Sequence, residues 1–90
     1  MYKTADILVL GRVQAVGYRL FAKRSADYLN VTGFVQNLSD GTVKIVASGD
    51  EACLALFFEK LREGPRWAIV KDIKVNWSNK NTIYDKFVII

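Results

Sequence analysis

The chain has 90 residues, 51% of them hydrophobic, enough for one domain with a two-layer core. It has no histidine and one cysteine, Cys53, which removes Ser-His-Asp and Cys-His nucleophiles, His-based zinc sites and any internal disulfide. A formal net charge of +4 from scattered Lys and Arg favours anionic partners without a basic tail. No apolar run approaches the ~20 residues of a membrane helix. Met1–Asp6 lacks the basic start and long apolar core of a signal peptide, so a cytoplasmic location with no membrane partner is expected.

Lys3 to Val13 reads as the first strand, with Ile7, Val9 and Val13 on one face and Asp6, Leu8, Leu10 and Arg12 on the other. Apolar residues on both faces place it centrally in a sheet. The period changes at Tyr18, where Tyr18, Phe21, Ala22, Ser25 and Leu29 share one stripe of a helix ending near Asn30. Val31 to Asn37 and Gly41 to Ser48 are two strands joined through Leu38-Ser39-Asp40-Gly41, and Asp-Gly between strand-like runs signals a hairpin. Val43, Ile45 and Ala47 alternate with Thr42, Lys44 and Val46, as a sheet with one buried face requires. Gly49 is expected to break that strand, with Asp50 as N-cap of a second helix that buries Leu54, Phe57, Phe58 and Leu61 and stops at Gly64-Pro65. Cys53, among apolar neighbours on that helix, reads as a small packed hydrophobe.

The fourth strand runs from about Ala68 to Trp77, Ser78 to Thr82 is a polar loop, and Ile83 to Ile90 is a last strand with Phe87 and Ile89 inward. The order is β-α-β-β-α-β with an extra C-terminal strand. This is an α+β, ferredoxin-like two-layer sandwich over residues 1–90, with two helices on one face of an antiparallel or mixed sheet. The first and third strands are expected at the centre, adjacent and parallel, and the second strand two positions from the first.

The segment Gly11-Arg-Val-Gln-Ala-Val-Gly-Tyr-Arg19 joins the first strand to the first helix. Such a loop can turn consecutive main-chain N–H groups toward one spot beside the positive end of a helix dipole, and Arg19 adds a planar fork of donors. It reads as an anion cradle, although it is neither Gly-x-Gly-x-x-Gly nor a nucleotide P-loop. A second segment, Gly33-Phe34 with Asn37, Gly41, Val43 and Gly49, follows at regular spacing.

Together the two segments resemble the acylphosphatases, which hydrolyse carboxyl-phosphate mixed anhydrides. The first motif, Gly-x-Val-Gln-Gly-Val-x-(Phe/Tyr)-Arg, matches Gly11 to Arg19 except that Ala15 replaces the middle glycine. The second matches at all of the positions named, and Gly64-Pro65 with Ala68 and Val70 fits a later family segment. The resemblance implies metal-independent hydrolysis of a small acyl phosphate without a cofactor. It assigns Arg19 to the phosphate, Asn37 to the attacking water, and the backbone of Gln14, Ala15, Val16, Gly17, Tyr18 and Arg19 to the phosphoryl oxygens. A monomer inhibited by inorganic phosphate or sulfate is implied.

Taken alone, Asn37 before a hairpin is commonly a turn-stabilising amide, and Tyr18 reads as a core anchor. The side chain of Gln14 can brace the loop, and Arg12 reads as a surface charge. If residue 15 requires positive φ, alanine there costs about 1 kcal/mol against glycine. Two alternatives stand beside hydrolysis: a catalytically weak or inactive anion-binding domain of the same fold, and a nucleic-acid-binding module. The absence of any aromatic residue from Thr42 to Ser48 opposes the latter.

Overall fold

Alternation of apolar side chains decides which face of the sheet is covered. Ala5, Ile7, Val9, Val35, Val43, Ile45 and Ala47 are buried together with Tyr18, Ala22, Ala26, Leu54, Phe57 and Leu61 from the helical segments. The computed structural model describes residues 1–90. It contains β1 (Tyr2–Arg12), α1 (Tyr18–Tyr28), β2 (Thr32–Asn37), β3 (Val43–Asp50), α2 (Glu51–Glu63), β4 (Ile69–Trp77) and β5 (Phe87–Ile89). The strands form one sheet in the order β4-β1-β3-β2-β5, with both helices packed on it, a ferredoxin-like α+β arrangement.

β1 and β3 are neighbours, as expected, but they pair antiparallel rather than parallel. The crossover through α1 lays β2 parallel to β1 with space for one strand between them. The short hairpin then returns β3 into that space, and a hairpin generates only an antiparallel neighbour. The C-terminal ends of β1 and β2 therefore lie at the same end of the sheet. β5 joins the outer side of β2 in parallel, pairing Gly33 with Phe87 and Val35 with Ile89, and brings its own C-terminal end there too.

The last strand is shorter than the apolar pattern from Ile83 suggests. β4 and β5 occupy opposite edges, so the intervening chain is spent crossing the sheet. Thr82 N–H donates to Thr4 Oγ1 at 3.0 Å, Thr4 Oγ1 lies 2.7 Å from Ser48 Oγ, and Tyr84 meets Phe34 edge-on. These contacts cover part of the face that the helices leave open. They explain why Val46 and Ser48 are buried along with Ile45 and Ala47, where one buried face was expected for β3. Gly49 does not break β3, because it keeps its place in the ladder opposite Lys3. Ile89 is not inward: it shares a face with the buried Phe87 but stands at the sheet end where α1 begins, 40% exposed.

Small residues set the approach of α1. Its buried positions are Tyr18, Ala22 and Ala26, whereas Phe21, Ser25 and Leu29 are only partly covered, so the stripe is centred closer to Ala26 than the periodicity implied. α2 starts as expected, with Asp50 accepting from Ala52 N–H at 3.2 Å, and ends at Gly64. Leu54, Phe57 and Leu61 are buried, and Phe58 and Cys53 pack partly against the core.

The two helices are tied at one point. Tyr18 Oη, buried, donates to the main-chain oxygen of Leu61 at 2.8 Å. That oxygen belongs to the last turn of α2, where carbonyls have no partner within the helix. Burial raises the phenol pKa above its ordinary value of about 10. Tyr18→Phe should cost about 1 to 3 kcal/mol, because it orphans a buried carbonyl. Since the folded pKa is raised, the phenol's contribution is complete below about pH 10 and is lost as pH climbs beyond it. Denaturant unfolding should therefore show a gap between wild type and Tyr18→Phe that narrows only above about pH 10.

Candidate active site

The loop after β1 is shaped by its backbone. The pairing of β1 with β4 shifts register between Leu10 and Gly11, and a Cβ at position 11 would run into the Ile69 carbonyl oxygen. The chain leaves the sheet through this bulge and buries Val13. Ala15 (φ 60°) and Gly17 (φ 78°) are both left-handed, Gly17 as the N-cap of α1. Left-handed residues alternating with ordinary ones are the backbone pattern that forms concave, anion-binding rows of N–H groups. Consistent with this, no N–H from Gln14 to Leu20 donates to a main-chain oxygen. The first intrahelical bond of α1 is Phe21 N–H to Gly17 O, at 3.1 Å.

Ala15, Gly17, Tyr18 and Arg19 line a small cavity of about 190 Å³ with Val13, Leu20, Asn37 and Ile89. Arg19 is half-buried, and its Nη1 donates to the main-chain oxygen of Ile90 at 3.2 Å, so the guanidinium is held beside the end of β5. Asn37, the last residue of β2, has a buried Oδ1 with no hydrogen-bond partner. Buried acceptors are nearly always paired, so an orphaned one on a cavity-lining residue calls for a donor such as water.

Gln14 and Val16 do not line this cavity. Gln14 Nε2 donates to the carbonyl oxygens of Leu38 at 2.7 Å and Thr42 at 2.9 Å, which ties the loop to the β2–β3 hairpin. Val16 packs partly against the core and faces a separate groove. Arg12 is exposed, as expected. The hairpin holds itself: Asp40 accepts from Thr42 N–H and Oγ1 at 3.0 and 2.6 Å, contacts that lower its carboxyl pKa, so Asn37 is not needed as the turn-stabilising amide. The sequence reading missed Ile89 and Ile90 as neighbours of Arg19. Nothing local signals them, because the parallel pairing of β2 and β5 alone brings them to the site.

The acylphosphatase family model matches residues 5–89. The chain belongs to the acylphosphatase family. An acylphosphatase of Thermus thermophilus is 47% identical over 73 residues, covering 81% of this chain and 83% of that protein. One from Salinibacter ruber is 41% identical over 85 residues, covering 94% and 90%. The crystal structure of acylphosphatase from Bacillus subtilis superposes with a TM-score of 0.95 at 38% identity, covering 100% of this chain and 99% of that one. The chain is an acylphosphatase enzyme, a hydrolase acting on a small acyl phosphate; neither the inactive-domain nor the nucleic-acid alternative is favoured.

Against the acylphosphatase motif, Ala15 is the departure, and it occupies a left-handed position, so the conditional penalty applies. Ala15→Gly should stabilise the fold by about 1 kcal/mol, a rise in Tm of about 4 to 8 °C for a domain of this size. Thermal unfolding of the two forms at equal concentration checks this. An unchanged or lower Tm would show that the loop carries no strain at residue 15.

Proposed function

We propose that residues 1–90 act as one monomeric, cytoplasmic domain in which Arg19 and the loop N–H groups of the cavity-lining Ala15, Gly17, Tyr18 and Arg19 hold the phosphoryl group of the substrate. In this reading Asn37 holds the attacking water. The observation that carries it is the orphaned, buried Oδ1 of Asn37, a residue that lines the same cavity as Arg19, next to a run of N–H groups without main-chain acceptors.

The reaction needs little beyond positioning. A carboxylate is a good leaving group, and phosphoryl transfer is assisted chiefly by holding the reactants in line and stabilising charge on the equatorial oxygens. Arg19 and the loop supply fixed positive ends for those oxygens. Water donates one hydrogen to Asn37 Oδ1 and attacks phosphorus. The new P–O bond forms as the bond to the acyl oxygen breaks, and the carboxylate leaves with the electron pair. The water's proton passes to a phosphate oxygen, so no side-chain base is required. None of the residues lining the cavity is a carboxylate, thiol or imidazole. Activity is accordingly expected to survive EDTA, with inorganic phosphate or sulfate competing for the cradle less well as salt rises.

Two substitutions separate the roles. Arg19→Lys should fall about a hundredfold in kcat/KM, close to Arg19→Ala, because an ammonium does not reproduce the planar fork. Near wild-type turnover in Arg19→Lys would mean that charge alone suffices. Asn37→Ala should lower kcat by about a hundredfold while leaving phosphate inhibition nearly unchanged, since it removes an interaction with the nucleophile rather than with the phosphoryl group. Weakened phosphate inhibition with kcat preserved would instead make Asn37 a phosphate ligand.

A further inference from the structure

A second, larger concavity adjoins the cradle. A groove of about 570 Å³ runs between α1 and the end of α2 and shares Gly17 and Leu20 with the small cavity. Its apolar surface comes from Val16, Leu20, Phe21 and Tyr28, with Leu20 46% and Tyr28 87% exposed. Its cations are Arg24 and Lys60, and no acidic residue lines it. Neither cation takes part in the ion pairs of the chain, which use the N-terminal amine, Lys3 and Lys23. The polar hollow near Arg12 and Lys71 differs on both counts, since it contains Asp40 and shares no residue with the cavity.

We infer that this groove is the acyl-group subsite and that it selects acyl phosphates with an apolar or aromatic body carrying a second anionic group. The inference rests on the assignment of Arg19 and the loop to the phosphoryl group. In-line displacement puts the leaving acyl group opposite the water. Asn37 lines the cavity but not the groove, and the groove meets the cradle across Gly17 and Leu20. An acyl group departing away from Asn37 enters it. Along α1 the rise from Gly17 to Arg24 is about 10 Å, so the second anion is met about that far from phosphorus. Lys60, from α2, faces the same space and doubles the positive charge there. The body of the acyl group then covers side chains of Leu20 and Phe21 that the fold leaves partly open to water.

The test compares acetyl, benzoyl and 4-carboxybenzoyl phosphate, which share the phosphoryl group and differ only in what enters the groove. Wild type should favour 4-carboxybenzoyl over benzoyl phosphate, and benzoyl over acetyl phosphate, in kcat/KM. The double variant Arg24→Ala/Lys60→Ala should lose about tenfold with 4-carboxybenzoyl phosphate while staying within about twofold on the other two. Phe21→Ala should lower both aromatic substrates and spare acetyl phosphate. Equal changes on all three substrates, or no change on any, would overturn the subsite. Failure of the underlying site assignment reads differently: Arg19→Ala would then hydrolyse acetyl phosphate as well as wild type does.

Discussion

The hydrogen bond from Tyr18 to the last turn of α2 joins the two helices at the end of the loop that leads from β1 into α1. Tyr18 is at once the first residue of α1, a member of the buried core and the neighbour of Arg19. Burying its ring fixes where α1 begins, and the position of Gly17, its N-cap, follows. The hydroxyl then satisfies a carbonyl that helix geometry leaves without a partner, so the polar end of the ring is accommodated in the interior without an orphaned group. The free N–H groups at the start of α1 are therefore held by packing rather than by the loop alone.

The loop itself is under tension between two requirements. Consecutive N–H groups become available to an anion only when the backbone turns left-handed, and at Ala15 that turn is made by a residue with a Cβ. The surrounding contacts enforce it: Gly11 admits the close approach of β4, and Gln14 clamps the loop to two carbonyls of the neighbouring hairpin. A strained backbone supported from both sides is preorganised, which is the condition under which fixed dipoles stabilise developing charge efficiently, as the proposed phosphate site requires. The absence of histidine fits the proposed mechanism, in which no step depends on a side chain that titrates near neutral pH.

The legible parts of the chain were those governed by local rules. Asp-Gly announced the hairpin, Asp50 announced the start of α2, Gly64-Pro65 announced its end, and the change from period two to a helical period located α1. The relative direction of β1 and β3 is not legible in the local pattern, because it depends on how many times the chain reverses between them. Ile83 to Ile90 looked like a full strand because apolar alternation records propensity and not the distance to a free sheet edge. Gly49 reads as a break, yet its pairing with Lys3 near the end of the β1–β3 ladder keeps it extended.

Residue types and spacing by themselves determined the element order, the two-layer class and the family motifs, and they singled out Gly11–Arg19 for the proposed anion cradle, because each depends on chemistry within a few residues along the chain. Tertiary structure decided that Asn37, at the end of a strand two positions away, faces the same cavity as Arg19, and that Ile90 holds the guanidinium. It also showed Gln14 as a clamp rather than a cavity residue and placed Arg24 and Lys60, from different helices, around one groove. Those relations join residues far apart in the chain. They exist only once the sheet order brings three C-terminal strand ends to one end of the sheet and the core sets how closely the helices lie.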